Sequence, residues 1–136
     1  MAIFGVGASY FSEGDVTRKF LSNNVACINW SNEDAPVLHK LMKTIKVGDI
    51  IYIKSYPYAT GLEIKAVGVV QDDNVIFLKD VGEACLKVKW TWTGSKKLGK
   101  IGDRYNVRTL SIYEELNPDI QKKVVDLLRL KSYNDA

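Results

Sequence analysis

Three short apolar stretches with recurring punctuation constrain this chain most. They are Ile3-Phe4-Gly5-Val6-Gly7-Ala8-Ser9-Tyr10, Lys46-Val47-Gly48-Asp49-Ile50-Ile51-Tyr52-Ile53-Lys54-Ser55 and Ile64-Lys65-Ala66-Val67-Gly68-Val69-Val70. Each reads as a β-strand, and a mostly apolar strand such as the first is expected to be buried on both faces. Ser9-Tyr10 and Ser55-Tyr56 each close a stretch with a small hydroxyl residue followed by an aromatic. That pairing is expected at the mouth of a pocket that holds a flat ligand. No catalytic constellation accompanies it, so the pattern points to binding rather than chemistry.

The segments between these strands predict helices and turns. Asp15 is a plausible N-cap for a short helix carrying Val16, Phe20 and Leu21 inward, which Asn23-Asn24 stops. A second helix starts near Asp34, with Pro36 in its first turn, and places Val37, Leu38, Leu41, Met42 and Ile45 on one face. Leu86 to Trp92 alternates strictly, which puts Leu86, Val88, Trp90 and Trp92 on one face of a strand. Residues 94–103 read as a basic loop, and Val107 to Tyr113 as the last strand. Asn117-Pro118 starts a final helix over about residues 117–131, with Ile120, Val124, Leu127 and Leu128 on one face. This helix is expected to pack on its own barrel or to dock to another chain. With 136 residues and 46% apolar content, the chain is expected to form a single globular domain of α+β class. Short links from residue 50 onward imply a small, mostly antiparallel β-barrel flanked by helices.

Several chemistries are excluded on residue grounds. Gly5-Val6-Gly7 lacks the third glycine of a dinucleotide-binding loop and lies inside a strand, where glycine more often permits close approach. A phosphate-binding loop with its lysine is absent. His39 is the only histidine; it falls off the apolar helix face and is expected to be exposed, which leaves no nucleophile–base pair. The carboxylate pairs Glu114-Glu115 and Asp72-Asp73 are expected in exposed turns or ends. Cys27 and Cys85 form no metal-type spacing and are expected as two buried thiols. The expectation is therefore a non-enzyme with no cofactor and no metal. No leader and no apolar run of membrane-spanning length is visible, so a cytoplasmic protein without a membrane partner is expected.

Charge is unevenly placed. From Lys87 to Arg108, seven basic residues face Asp103 alone, a net of +6 against a whole-chain +3. Such a segment is either a surface for a polyanion or a solvated, lysine-rich hairpin. The aromatics add to this. Trp30 lies in a polar setting and either plugs the barrel end or lines a pocket. Tyr10, Phe11, Tyr56 and Tyr58 follow strand ends. Flat faces beside hydroxyl and amide groups suit one nucleobase, through stacking and edge hydrogen bonds.

The order of these features carries a resemblance. Strand-end Gly7-Ala8-Ser9-Tyr10 is followed by Gly14-Asp15-x-Thr17 with Phe20-Leu21, then Trp30, Lys46-Val47-Gly48-Asp49, Ile53-Lys54-Ser55, Ile64-Lys65-Ala66-Val67-Gly68-x-Val70 and Val88-x-Trp90. This order resembles the N-terminal modules of McrB-type restriction ATPases/GTPases and related EVE-like domains of the PUA-like superfamily, over residues 3–92 and more loosely to residue 113. The resemblance implies a PUA-like barrel and a pocket for a flipped, modified base, as in the related YTH readers. On that reading Ser9 and Tyr10 form one pocket edge, Trp30 an aromatic wall, and Ser55 with Tyr56 the opposite rim. Trp90 is either a ligand contact or core packing, and Asp15 a turn residue or only a helix cap. The loop after Ser55 is shorter than is usual in those modules, and a free-standing module without its own motor or nuclease domain is expected.

The functional expectation is a nucleic-acid-binding module that recognises a modified base in DNA or RNA and works with a separate nuclease or motor protein. Lys87, Lys89, Lys96, Lys97, Lys100 and Arg104 are the expected phosphate contacts. The alternatives are a small-molecule or free-nucleotide sensor, and a protein-interaction subunit of a defence complex.

Overall fold

The computed structural model describes residues 1–102 and 106–134, with side chains to residue 130. The fold is α+β: a curled, mostly antiparallel half-barrel sheet with three helices. Strands β1 (Ile3–Gly7), β4 (Val25–Ile28), β5 (Ile50–Ser55), β6 (Leu62–Val70), β8 (Gly82–Gly99) and β9 (Ile112–Glu114) run in the order β4-β8-β6-β5-β1-β9, with β7 (Ile76–Leu78) also paired to β8. The short pair β2 (Ser9–Tyr10) and β3 (Gly14–Asp15) stands apart from this sheet. Helices α1 (Thr17–Asn23) and α2 (Pro36–Thr44) lie in the crossover between β1 and β5, and α3 (Pro118–Asn134) follows β9. Among the described residues only β1 and β5 pair in parallel, and a parallel neighbour requires such a crossover.

The central strands are mostly apolar because each has a core on either side. Phe4, Val6, Ile51, Ile53 and Ala66 face the α1 side, together with Phe20 and Met42. Ile3, Ile50, Tyr52, Leu62 and Ile64 face the α3 side and meet Ile120, Val124 and Leu127. The apolar face of α3 is thus covered by its own sheet. Asn117 starts α3 as expected, its Oδ1 accepting from the Asp119 and Ile120 amides. Asn24 ends α1 in the left-handed conformation, φ 54°. On α2 the expected face holds only in part: Met42 and Ile45 are buried, but Val37 is exposed to solvent.

Gly5 permits a close approach on β1. A Cβ there would lie 2.3 Å from the Tyr113 ring, the residue paired with Gly5 across β1 and β9. Tyr113 thereby reaches Tyr52, hydroxyl to hydroxyl at 2.7 Å, and Tyr52 donates to Glu115 Oε1 at 2.6 Å. Burial raises both tyrosines above their ordinary pKa, so each hydroxyl keeps its proton. Glu115 also takes Arg108, through Nε at 3.0 Å and through a second bond from Nη2 to Oε2. Both are buried, at 2% and 0% exposure. The expectation of exposed carboxylates fails at Glu115, because a cation seven residues upstream closes back on it.

Four further expectations are corrected. Residues 94–99 are strand, not loop, since β8 continues against β6 as far as Gly99. Residues 107–109 form one 3-10 turn before the short β9. Trp92 packs on the α3 side while Trp90 packs on the other, because register shifts between β6 and β8, one of them between Val67 and Gly68, break the alternation. Cys27 and Cys85 are joined in a disulfide rather than left as thiols. They face each other directly across β4 and β8, with 58 residues of sequence separation. Both sulfurs are fully buried, which shields the bond from exchange.

Two stability outcomes follow. Arg108→Met should lower unfolding free energy by about 3–5 kcal/mol, because it leaves the buried Glu115 charge unmatched; urea denaturation showing a loss under about 1 kcal/mol would contradict this. Reductant should lower stability by up to about 4 kcal/mol through the closed loop's chain entropy. Two free thiols found by thiol labelling of the protein unfolded without reductant would mean that the sulfurs are not bonded in solution.

Candidate functional site

β1 ends at Gly7, and two adjoining pockets open at that end of the half-barrel. The larger, about 440 Å³, is lined by Ser9, Lys54, Ser55, Tyr56, Lys65 and Ser111 among others. The smaller, about 220 Å³, is lined by Tyr10, Phe11, Asn29 and Trp30. Gly7, Ser9 and Ser111 line both and form the divide. The larger volume lies in the range of small-molecule sites.

The smaller pocket is aromatic. Trp30 is half exposed, and its indole Nε1 donates to Ser111 Oγ at 3.0 Å. His39, expected to be exposed, is partly buried, and its Nε2 lies 2.5 Å from the Trp30 carbonyl. With the proton on Nε2 it donates there and steadies the Trp30 backbone. Tyr10 closes the pocket from the core side. Its hydroxyl donates to the Val81 carbonyl at 2.7 Å, and its ring meets Phe20 edge to face. Burial, then the Glu13 charge, raises its pKa well above the ordinary value. Phe11 is fully exposed at the rim, a position flagged by its place after the strand but not counted among the expected contacts.

The larger pocket is polar and cationic. Lys54 leaves β5 beside Gly7, and a Cβ on Gly7 would come within 3.3 Å of both Cε and Nζ. The missing side chain therefore makes room for the lysine. The Lys54 amine makes no hydrogen bond or ion pair among the described residues, and burial alone lowers it to about 8. Lys65 binds Asp15 Oδ2 at 3.0 Å. Asp15 also accepts from the Thr17 hydroxyl at 2.6 Å and the Thr17 amide at 2.8 Å. The Thr17 hydroxyl does most to lower the Asp15 carboxyl to about 2, with the Thr17 amide and Lys65 adding to it against a smaller opposing effect of burial. Tyr56 forms the far rim, where its hydroxyl accepts from Asn106 Nδ2 at 2.8 Å and the Ile101 amide at 3.2 Å. Asn106 Oδ1 in turn accepts from Arg108 Nη1 at 3.2 Å, so this rim is tied to the buried ion pair.

Of the residues expected at the site, Ser9, Ser55 and Tyr56 meet in the larger pocket, and Ser9, Tyr10 and Trp30 in the smaller. Trp90 lies outside both, its Nε1 donating to the Phe20 and Val25 carbonyls at 3.2 Å. Lys54 and Lys65 were not anticipated. Their signal was a lysine ending or interrupting an otherwise apolar strand, where a charge needs an opening to water.

The basic segment does not form one patch. Lys87 and Lys89 are exposed beside a groove with Asn23, Asn24 and Ile76. Lys96 and Lys97 are exposed farther along β8, up to about 33 Å from Lys87 to Lys97 at full strand rise. Lys97 lies opposite Glu63, which lies opposite Ser55. That register sets it two strand spacings, about 10 Å, from the pocket rim. Lys100 sits over the Tyr58 ring, 5.5 Å from its centroid. Arg108 is spent in the buried pair, and Arg104 lies outside the described residues.

No family model matches the chain, and no curated protein matches it. Among the described residues there is no cluster of metal-binding side chains and no helix long and apolar enough to cross a membrane.

The depressed Lys54 amine gives a signed pH prediction. Between about pH 8 and 10.5 the unfolded chain holds a proton that the folded chain has lost. Stability from this group therefore rises with pH across that window. Lys54→Met should flatten that rise in thermal unfolding. An NMR titration of Lys54 with its midpoint at the ordinary 10.5 would refute the assignment.

Proposed function

We propose that this chain is a non-enzymatic nucleic-acid-binding module of PUA-like architecture that takes a modified base, extruded from DNA or RNA, into the pocket beside Trp30. The observation that carries this reading is the pairing of an aromatic pocket with a cationic one across Gly7, Ser9 and Ser111. A half-exposed tryptophan already anchored through its indole N–H offers a stacking face at little ordering cost. Asn29 and the hydroxyls of Ser9 and Ser12 offer edge hydrogen bonds beside it. Lys96, Lys97 and Lys100 lie toward the rim and would hold backbone phosphates. Lys87 and Lys89, at the other end of β8, would contact only a strand that follows the sheet.

A free-nucleotide sensor would use the same pockets without the outer lysines. The docking alternative has less support, because the apolar face of α3 is buried against its own sheet.

Trp30→Ala should abolish preference for the modified base, a loss of about 1–3 kcal/mol per stacked base, while general affinity persists. Lys96→Ala, Lys97→Ala and Lys100→Ala together should weaken binding to every sequence and reduce the salt slope by about one per phosphate contact. Equal binding of modified and unmodified oligonucleotides by the unaltered protein, across a panel of base modifications, would sink the reading. A protein that passes through heparin at moderate salt yet gains thermal stability with a mononucleotide is the sensor.

A further inference from the structure

Lys54 presents a chemical imbalance. Its side chain is partly buried, lines a cavity, and has no carboxylate or carbonyl partner among the described residues. A cation withdrawn from water without a counter-charge destabilises the fold and pushes its own amine toward neutrality. An anion in the cavity would remove both costs. The surrounding side chains suit one. The hydroxyls of Ser9, Ser55 and Thr109 line the same cavity and make no hydrogen bond among the described residues. Ser111 Oγ accepts from Trp30 and keeps its own proton to donate. The single carboxylate in the lining, Asp15, is held by Lys65 and Thr17. Lys54 and Lys65 against Asp15 leave the lining one positive charge in excess.

We propose that the Lys54 pocket is a phosphate subsite, and that it holds the phosphate of the nucleotide whose base enters the Phe11–Trp30 pocket. The second clause rests on the function proposed above; the first does not. Ser111 is the hinge of the arrangement, since one hydroxyl fixes the tryptophan on one side and faces the phosphate on the other. Gly7 serves it from below: its missing side chain lets the Lys54 amine lie flat across β1 at the divide between the pockets. The outer lysines of β8 are then a separate, sequence-independent contact with neighbouring phosphates.

The test uses the whole chain and sulfate as probe, because sulfate keeps a fixed charge across the pH range needed. Sulfate should move the backbone amide resonances of Gly7, Ser9 and Ser55 in a saturable way. Lys54→Met should weaken that binding at least about tenfold, the scale of one charge-assisted hydrogen bond, and Lys54→Arg should retain most of it. Affinity should fall as pH rises through about 8. The other titratable groups lining the pocket are Asp15, Lys65 and Tyr56. Lys54→Met retains all of them, so a pH dependence that survives in it would overturn the assignment. Unchanged sulfate binding in Lys54→Met, or no saturable binding by the unaltered protein, would also overturn it. Methyl phosphate and dimethyl phosphate separate the sources: a site for a free mononucleotide prefers the monoester, and one for a polymer accepts the diester equally. If sulfate binding depends on Lys54 while Trp30→Ala leaves base preference unchanged, the subsite stands and the base-pocket reading falls.

Discussion

The charge on Glu115 is the interaction on which the rest of the structure depends. A fully buried carboxylate must be met by donors on every side, and here they come from separate parts of the chain. Tyr52 reaches it from β5, Arg108 from the 3-10 turn, and the Asn117 amide from the start of α3. The Glu115 amide donates to the Ile3 carbonyl at the start of β1. One side chain thus joins the central strands, the last strand and the final helix. Such a group specifies an arrangement more than it adds stability, since a mismatch leaves a charge in the core.

The same network reaches the surface at the candidate site. Arg108 bonds Asn106, and Asn106 bonds Tyr56 at the pocket rim. On the other side, Ser111 holds Trp30, and its backbone carbonyl accepts from the Gly7 amide. Both rims are therefore set by the segment just before β9, which the buried pair holds in place. Lys54 is the contrast within this frame. The other charged groups lining the cavity, Lys65 and Asp15, pair with each other, whereas the Lys54 ammonium is left to the cavity. A local cost of that kind inside an otherwise satisfied structure is the usual mark of a binding site.

Much of the fold was legible because apolar patterning reports burial. β1, β5 and β6 were visible as mostly apolar stretches, and α3 as one apolar face behind Asn117-Pro118. Ser9, Tyr10, Ser55 and Tyr56 were visible as strand-end residues, and they do line the paired pockets. What was illegible depended on residues distant in sequence. The Glu115 partners and the Cys27–Cys85 bond require strands to be brought into register first. The register shifts between β6 and β8 defeated strict alternation at Trp92, because an unpaired residue there changes which face follows. The basic window read as one block of charge, yet a long strand spread Lys87 and Lys97 apart and the 3-10 turn took Arg108 into the core.

By itself the sequence determined most of the element types, the double burial of β1 and the position of the strand ends around the pockets, since these follow from local periodicity and hydrophobicity. Only the tertiary structure decided which residues share the pocket. Lys54 stands over Gly7 because β1 and β5 pair in parallel with those two residues in register. Trp30 meets Ser111 across 81 residues of chain. Contacts of that separation arise from strand pairing and buried charge, neither of which leaves a local pattern to read.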